Sequence, residues 1–132
     1  MAKYNNYVCL IADDYSTGRK LIKESLEKIG FSCLEAENGN QALSLLKQSA
    51  INLVIADIQM PEKNGLDLLK EIRIDYNMND LPVILTMLEP FDNIISDGNK
   101  FGMNNYLIKP FDVFTLSKIV DTVIKTTGGE SL

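Results

Sequence analysis

The chain has 132 residues, of which 45% are hydrophobic and 23% charged, the composition of an ordinary globular domain. This composition excludes a collagen-like or disordered chain, and only two cysteines exclude a disulfide scaffold. The 13 lysines and arginines against 18 aspartates and glutamates give a net charge of −5 and form no basic run, which argues against direct nucleic-acid binding.

Histidine is absent, which removes the commonest general base and most zinc sites. Cys9 and Cys33 lie in apolar segments at a spacing that fits no metal site, so we expect buried, reduced thiols. The first residues lack an apolar signal core, and no apolar stretch approaches the ~18 residues that a membrane span needs. The sequence therefore predicts a cytoplasmic protein without membrane insertion.

Strand-like and helix-like patterns alternate along the chain. Short apolar runs, typical of strands buried on both faces, occupy residues 7–12, 31–36, 51–56, 82–88 and 105–108. Helical patterns between them include a stripe that ends at Gly30, a helix capped by Asn38 with Gln41 three residues later, a helix after Asn64-Gly65 and a last helix from Asp112. This alternation predicts an α/β fold, a doubly wound, five-stranded parallel sheet with helices on both faces.

Two stretches depart from that regular pattern. The segment from Glu89 to Phe101 has Pro90 near its start and Gly98 inside it, so we expect marginal helicity and a mobile or irregular conformation. Residues 127–132 are mostly small and polar and are predicted to form a tail or linker after one domain of residues 1–126.

Charged residues follow three of the predicted strands. Asp13 and Asp14 come after the first, Asp57 after the third and Lys109 after the fifth. In open parallel sheets, ligands bind beyond the carboxyl ends of the strands, and neighbouring first and third strands would bring the three carboxylates together. Like charges so close require a raised pKa or a bound cation, and an all-oxygen open site suits Mg²⁺. One such aspartate alone is more often a helix cap, so the interpretation depends on the combination.

Three segments together carry a family resemblance. The pair Asp13-Asp14, the stretch Asp-Ile-Gln-Met-Pro-Glu-Lys-Asn-Gly at 57–65 and the stretch 102–111 resemble the receiver domain of two-component response regulators, including single-domain chemotaxis regulators. The resemblance covers about residues 7–125. It implies a flavodoxin-like sheet with strand order 2-1-3-4-5.

The resemblance also implies roles for individual residues. Asp57 would be the phosphoacceptor, attacking phosphorus as a carboxylate nucleophile. Mg²⁺ would be held by Asp14, Asp57 and the backbone carbonyl of Gln59 directly, and by Asp13 through water. Lys109 would neutralise the phosphoryl oxygens, since phosphoryl transfer needs positioning and charge more than covalent machinery. The bond between Lys109 and the following proline resembles the family's cis peptide.

A switch is implied as well, and here the sequence departs from the family pattern. In the family, a hydroxyl at the end of strand four bonds the phosphoryl group and an aromatic residue on strand five turns inward; Tyr106 matches the aromatic position. Thr86 lies four residues after Pro82, where the family usually has its hydroxyl five residues after, so an ungapped match places Met87 there. Either the strand slips so that Thr86 faces the site, or Met87 occupies the position and coupling to Tyr106 is altered. We favour the second, since methionine cannot donate a hydrogen bond to phosphate.

The resemblance implies a phosphoacceptor receiver rather than an enzyme, catalysing only its own phosphoryl transfer and dephosphorylation. Its donor would be a histidine kinase or a histidine phosphotransfer protein, and an output protein or domain would contact the face of helix four, strand five and helix five. The main alternative is a pseudo-receiver that interacts without phosphorylation, which Met87 favours. A haloacid-dehalogenase-type phosphohydrolase would carry Asp-x-Asp after its first strand, and a flavodoxin-like nucleotide binder would need a glycine-rich loop there.

Overall fold

The computed structural model describes residues 3–128, in which five strands and five helices alternate along the chain. The strands are β1 (Val8–Ala12), β2 (Ser32–Ala36), β3 (Leu53–Asp57), β4 (Val83–Met87) and β5 (Asn105–Ile108). The helices are α1 (Ser16–Glu27), α2 (Gly39–Gln48), α3 (Gly65–Asp75), α4 (Asp92–Phe101) and α5 (Val113–Thr126). The α/β fold predicted from the alternating pattern is confirmed.

All four strand pairs are parallel, and the sheet has the order β2-β1-β3-β4-β5. This is the order that the family resemblance implies. Because β1 lies between β2 and β3, the strand order reverses there, and a crevice opens beyond the carboxyl ends of β1 and β3. Asp13 follows the end of β1 directly, and Asp57 is the last residue of β3.

Two apolar cores lie on opposite faces of the sheet. On one face, Cys9 and Ile11 of β1 pack with residues of α1 and α5 such as Leu26 and Val120. On the other face, the alternate β1 residue Leu10 packs with residues of α2 and α3. The central strands are therefore buried on both sides, which is why their sequences are continuous apolar runs.

Side-chain caps fix the start of three helices. The Asn38 side chain accepts a hydrogen bond from the backbone N–H of Gln41 at 2.9 Å, and the Gln41 side chain accepts one from the Glu37 N–H at 2.8 Å. Asn64 and Asp112 cap α3 and α5 in the same way. Each such cap satisfies a backbone donor that the first helical turn leaves free, typically worth ~1 kcal/mol. The cap predicted at Asn38 is confirmed.

The segment predicted to be mobile or irregular contains a regular ten-residue helix, so the prediction of an irregular conformation is wrong for residues 92–101, while its mobility stays a prediction. Pro90 precedes α4 and does not interrupt it. Gly98 is buried because Met103 packs against it, and an added Cβ would lie 2.5 Å from the Met103 sulfur. Gly102 ends the helix in the left-handed conformation with a φ of 96°, where glycine is favoured. Tertiary packing thus overrides a weak local propensity.

At the ends of the described chain, the N-terminal segment is tied to α5. Tyr4 is buried, and its hydroxyl donates a hydrogen bond to Asp121, which also pairs with Lys3. Of the predicted tail, Thr127 and Gly128 follow α5, and residues 129–132 lie outside the described part of the chain.

Within residues 3–128, no helix combines the length and the apolar character that a membrane crossing needs.

Candidate functional site

Three carboxylates converge at the crevice beyond the strand ends. Asp13, Asp14 and Asp57 each offer an oxygen within 4.8 Å of the others. Asp13 is 1% exposed and Asp57 is 9% exposed, whereas Asp14 faces solvent. The sheet order makes this cluster, because β1 and β3 pair directly although 40 residues or more separate them in the chain.

Lys109 bridges two of these carboxylates. Its Nζ donates to Asp13 Oδ2 at 2.9 Å and to Asp57 Oδ2 at 2.6 Å, and its side chain is 19% exposed. The Lys109 backbone N–H donates to the carbonyl of Met87 at 2.7 Å, so β5 delivers the ammonium to a fixed place beside β4. The peptide bond to Pro110 is cis, as the resemblance implies. One ammonium thus offsets part of the charge of three carboxylates.

Backbone donors orient the other oxygen of each buried carboxylate. Asp13 Oδ1 accepts from the N–H of Tyr15 at 2.9 Å, and Asp57 Oδ1 accepts from the N–H of Gln59 at 3.1 Å. Each carboxylate is therefore held through one oxygen by backbone and directs the second toward Lys109. A residue that the sequence did not single out, Arg19 of α1, supports this arrangement by donating to the Asp13 carbonyl at 2.6 Å.

Burial and the neighbouring groups shift the pKa values of Asp57 and Lys109. Burial raises the pKa of Asp57, and the charge of Asp13 adds to the rise, while the hydrogen bonds from Lys109 and Gln59 oppose it. Burial lowers the pKa of Lys109, but its hydrogen bonds to Asp57 and Asp13 outweigh burial and leave that pKa raised. The ammonium is therefore charged at neutral pH, and the ionised Asp57 carries a net cost.

Replacing Asp57 with asparagine is therefore expected to stabilise the metal-free fold. With its pKa raised in the native state, Asp57 binds its proton more tightly there than when unfolded, so its contribution to stability falls as pH rises through the native pKa. Asparagine keeps the shape without the charge. In EDTA at pH 7, Asp57→Asn should raise Tm by a few degrees, the response to about 1 kcal/mol in a domain of this size.

Thermal melts at a series of pH values check this expectation. The gain should shrink as pH falls toward the ordinary pKa of an aspartate, because the wild-type carboxyl then takes up its proton. The exposed loop residue Asp80 provides the control, and Asp80→Asn should leave Tm nearly unchanged. A lower Tm for Asp57→Asn at pH 7 would mean that its ion pair with Lys109 outweighs burial.

The loop after β3 is folded back against the strand end. The N–H of Ile58 donates to the Thr86 carbonyl at 2.9 Å, and the N–H of Gly65 donates to the Ile58 carbonyl at 3.1 Å. Glu62 adopts a positive φ of 63° and accepts from the Asn38 side chain at 2.7 Å. These contacts fix the loop that carries Gln59, and the sequence offered no signal for the role of Glu62.

At the switch position, Met87 lies in the crevice and Thr86 does not. β4 pairs in register, with Thr86 opposite Asp57 and Met87 opposite Ile108, and without a bulge. Met87 lines the cavity beside Asp57. Thr86 is 1% exposed, and its hydroxyl has no hydrogen-bond partner among the described residues. Tyr106 is half-buried on β5 and packs against the core on the α2–α4 side.

The crevice opens into a cavity of about 770 Å³. The acidic cluster and Lys109 form its floor, and its walls come from α1, the segment after β4 and the segment after β5. The wall residues are mainly apolar, and include Leu21, Met87, Leu88, Phe91, Ile94 and Phe111. The arrangement thus combines a charged floor that suits a phosphoryl group and a cation with an apolar entrance.

Comparison with known proteins decides the family. The model of the response regulator receiver domain matches residues 9–121. The chain belongs to this family. The "Chemotaxis protein CheY homolog" of Campylobacter jejuni (strain 81-176) is 38% identical over 123 residues, which are 92% of this chain and 95% of the relative.

Solved structures agree with this receiver assignment. The chemotaxis response regulator CheY4 of Vibrio cholerae has a TM-score of 0.83 at 25% identity, covering 89% of this chain and 98% of that one. A probable two-component system response regulator/GGDEF domain protein has a TM-score of 0.88 at 28% identity over 93% of this chain, which spans about half (51%) of that protein's length. The chain is thus a receiver domain of two-component signalling, similar to chemotaxis regulators, and family membership sets aside the phosphohydrolase and the nucleotide binder.

Proposed function

We propose that this receiver accepts a phosphoryl group on Asp57 with Mg²⁺ as cofactor, and that phosphorylation changes a surface that a partner reads. The observation that carries the proposal is the cluster of Asp13, Asp14 and Asp57 with Lys109 bridging two of them. A pseudo-receiver, which interacts without phosphorylation, would not need these four charged residues together. Family membership supports the same assignment.

The donor set fits Mg²⁺. The three carboxylates supply hard oxygen ligands within reach of one another, and the exposure of Asp14 leaves room for water in the coordination shell. In this proposal Asp14, Asp57 and the Gln59 backbone carbonyl would hold the ion directly, and Asp13 would hold it through water. When bound, Mg²⁺ neutralises negative charge on the phosphoryl oxygens.

Asp57 acts as the nucleophile. One carboxylate oxygen forms a bond to phosphorus, the bond between phosphorus and the donor's imidazole nitrogen breaks, and its electron pair stays with nitrogen. The Gln59 N–H holds the other carboxylate oxygen, which limits rotation of the nucleophile. Lys109 stays charged throughout and moves its hydrogen bond from Asp57 to a phosphoryl oxygen.

The output step departs from the family pattern. Met87 occupies the crevice where the family has a hydroxyl, and a thioether cannot donate to the phosphoryl group. Phosphorylation therefore proceeds through Asp57 and Lys109, while the coupling of the phosphoryl group to Tyr106 is weakened. Thr86 takes no direct part, because its side chain does not line the cavity.

Partners follow from this chemistry. The donor is a histidine kinase or a histidine phosphotransfer protein, and the output protein or domain contacts the face of α4, β5 and α5, with Tyr106 part of it. The cytoplasm is the proposed location, since kinases there have access to ATP. The proposed receiver domain ends with α5 at residue 126.

Intact mass after incubation with acetyl phosphate and Mg²⁺ tests the proposal. The wild-type protein should gain the mass of one phosphoryl group, and Asp57→Asn should gain none. EDTA should abolish the adduct, and Lys109→Ala should slow its formation by about 10²-fold or more, as for the loss of one oriented charge on a transferring group. Asp80→Asn, an exposed aspartate away from the site, should match the wild type. A folded protein that forms no adduct would favour the pseudo-receiver.

A further inference from the structure

The cavity above Asp57 opens through an entrance lined by apolar side chains, to which the proposed phosphoryl transfer assigns no role. Leu88 and Phe91, in the segment between β4 and α4, line this entrance and are 66% and 58% exposed. Phe111, in the segment after β5, and Leu21 of α1 line its other sides. Exposed large apolar side chains grouped around a cavity mark a binding surface more often than chance exposure does.

The geometry of phosphoryl transfer places the leaving group of the donor at this entrance. An attacking oxygen and a leaving group lie roughly in line on opposite sides of phosphorus. Asp57 lies on the floor, so the leaving group of any phosphodonor must point outward into the cavity. It then lies against the walls formed by Met87, Leu88 and Phe91.

The chemistry of those walls indicates which leaving group they accept. Among the described residues that line the cavity outside the acidic cluster and Lys109, Glu89 alone carries a charge, and it is negative. A leaving group with a further negative charge would be repelled, whereas an apolar group of the size of a benzene ring would bury its surface against Leu88 and Phe91. The volume of about 770 Å³ is ample for such a group.

We propose that this cavity is a leaving-group pocket, which selects small acyl phosphates with an apolar or aromatic acyl group through Leu88 and Phe91. The proposal rests on the proposed phosphorylation of Asp57. The carboxylate oxygen of Asp57 bonds to phosphorus, the bond from phosphorus to the acyl oxygen breaks, and the acyl group leaves as a carboxylate with that electron pair. No oxidant or further reactant is required.

Rates of adduct formation with benzoyl phosphate and with acetyl phosphate test the pocket. Their ratio is the readout, because any change in the reactivity of Asp57 itself cancels. In Phe91→Ala the ratio of benzoyl to acetyl rate should fall about tenfold, the scale of a lost hydrophobic contact in a pocket. Leu88→Ala should lower it in the same direction. Both side chains are exposed, so neither variant threatens the fold.

Phe114 provides the matched control. It is 74% exposed on α5 and does not line the cavity, so Phe114→Ala should keep the wild-type ratio. An unchanged ratio in Phe91→Ala and Leu88→Ala would overturn the leaving-group pocket. Adduct formation with acetyl phosphate but not with benzoyl phosphate would also overturn it. Failure of both donors on the wild type would instead contradict the phosphorylation of Asp57 on which the pocket depends.

Discussion

Replacing Gly65 with alanine is expected to lower the free energy of unfolding by about 3 kcal/mol, the upper part of the range for a misfit in a packed region. An added Cβ at this position would overlap the carbonyl oxygen of Asp57, and would lie 2.9 Å from the Asp57 carbonyl carbon and 3.1 Å from the Ile58 Cα. All three atoms belong to backbone, so no side chain can turn away to relieve the overlap.

The same substitution is expected to slow phosphorylation. Relief of the overlap requires α3 to move away from β3 or the end of β3 to shift, and either movement displaces Asp57 from Lys109 and from the Gln59 N–H. A displacement of ~1 Å at a reacting group costs on the order of 10²-fold in rate. Rates of adduct formation with acetyl phosphate, measured well below Tm, report this loss separately from stability.

Gly18 is the matched control for stability. It lies within α1, where a Cβ would lie 3.2 Å from Tyr15 Cδ2 and at an ordinary contact distance of 3.4 Å from Asp13 Oδ2; Tyr15 is 61% exposed, so its ring has room to turn. Gly18→Ala should therefore keep or raise Tm, since alanine favours a helix over glycine by up to ~1 kcal/mol. Equal melting temperatures for Gly65→Ala and Gly18→Ala would show that the backbone contact at Gly65 does not constrain the fold.

Local pattern predicted most of the fold because the central strands are buried on both faces. A continuous apolar run such as residues 51–56 is typical of a strand that is buried on both faces. An asparagine followed by glutamine three residues later predicted the start of α2. The strand order came from the family resemblance, because periodicity does not say which strands pair. The carboxylate cluster depended on that order, since Asp13 and Asp57 meet only when β1 and β3 are neighbours.

Contacts between distant segments could not be predicted from local pattern. Gly98 alone predicts a break in the helix, but Met103 packs against it where a side chain would lie. Arg73 of α3 donates to the carbonyls of Leu81 and Gly102 and to the Asn104 side chain at 2.8 to 2.9 Å, which joins α3 to the segments that begin β4 and β5. Nothing in the sequence around Arg73 predicts these contacts.

Replacing Met87 with threonine is expected to strengthen the coupling between Asp57 and Tyr106. Met87 lines the crevice beside Asp57, and a hydroxyl there would be able to donate to a phosphoryl oxygen. A hydrogen bond to a charged group is worth about 1.5–3 kcal/mol, enough to shift a two-state equilibrium by about 10-fold or more. The backbone amide resonance of Tyr106 should therefore move much further on addition of beryllium fluoride and Mg²⁺ in Met87→Thr than in the wild type.

Met87→Val separates the hydroxyl from the change in size. Met87 is 3% exposed, so both valine and threonine leave a gap and should cost about 1–3 kcal/mol of stability. Valine has the shape of threonine without its hydroxyl, and should leave the Tyr106 response at the wild-type level. Equal responses from the two variants would mean that the hydroxyl does not reach the phosphoryl group.

Thr86 offers a way to keep the Met87→Thr protein folded during this measurement. Its hydroxyl is buried without a hydrogen-bond partner among the described residues, so Thr86→Val should recover about 1 kcal/mol. The double variant moves the hydroxyl one residue along β4, from a side chain that does not line the crevice to one that does. Because successive strand residues point to opposite faces, that single step decides whether the chain can bond the phosphoryl group through β4. A Tyr106 response in the double variant as small as in the wild type would show that the phosphoryl group is not coupled to β5 through this position.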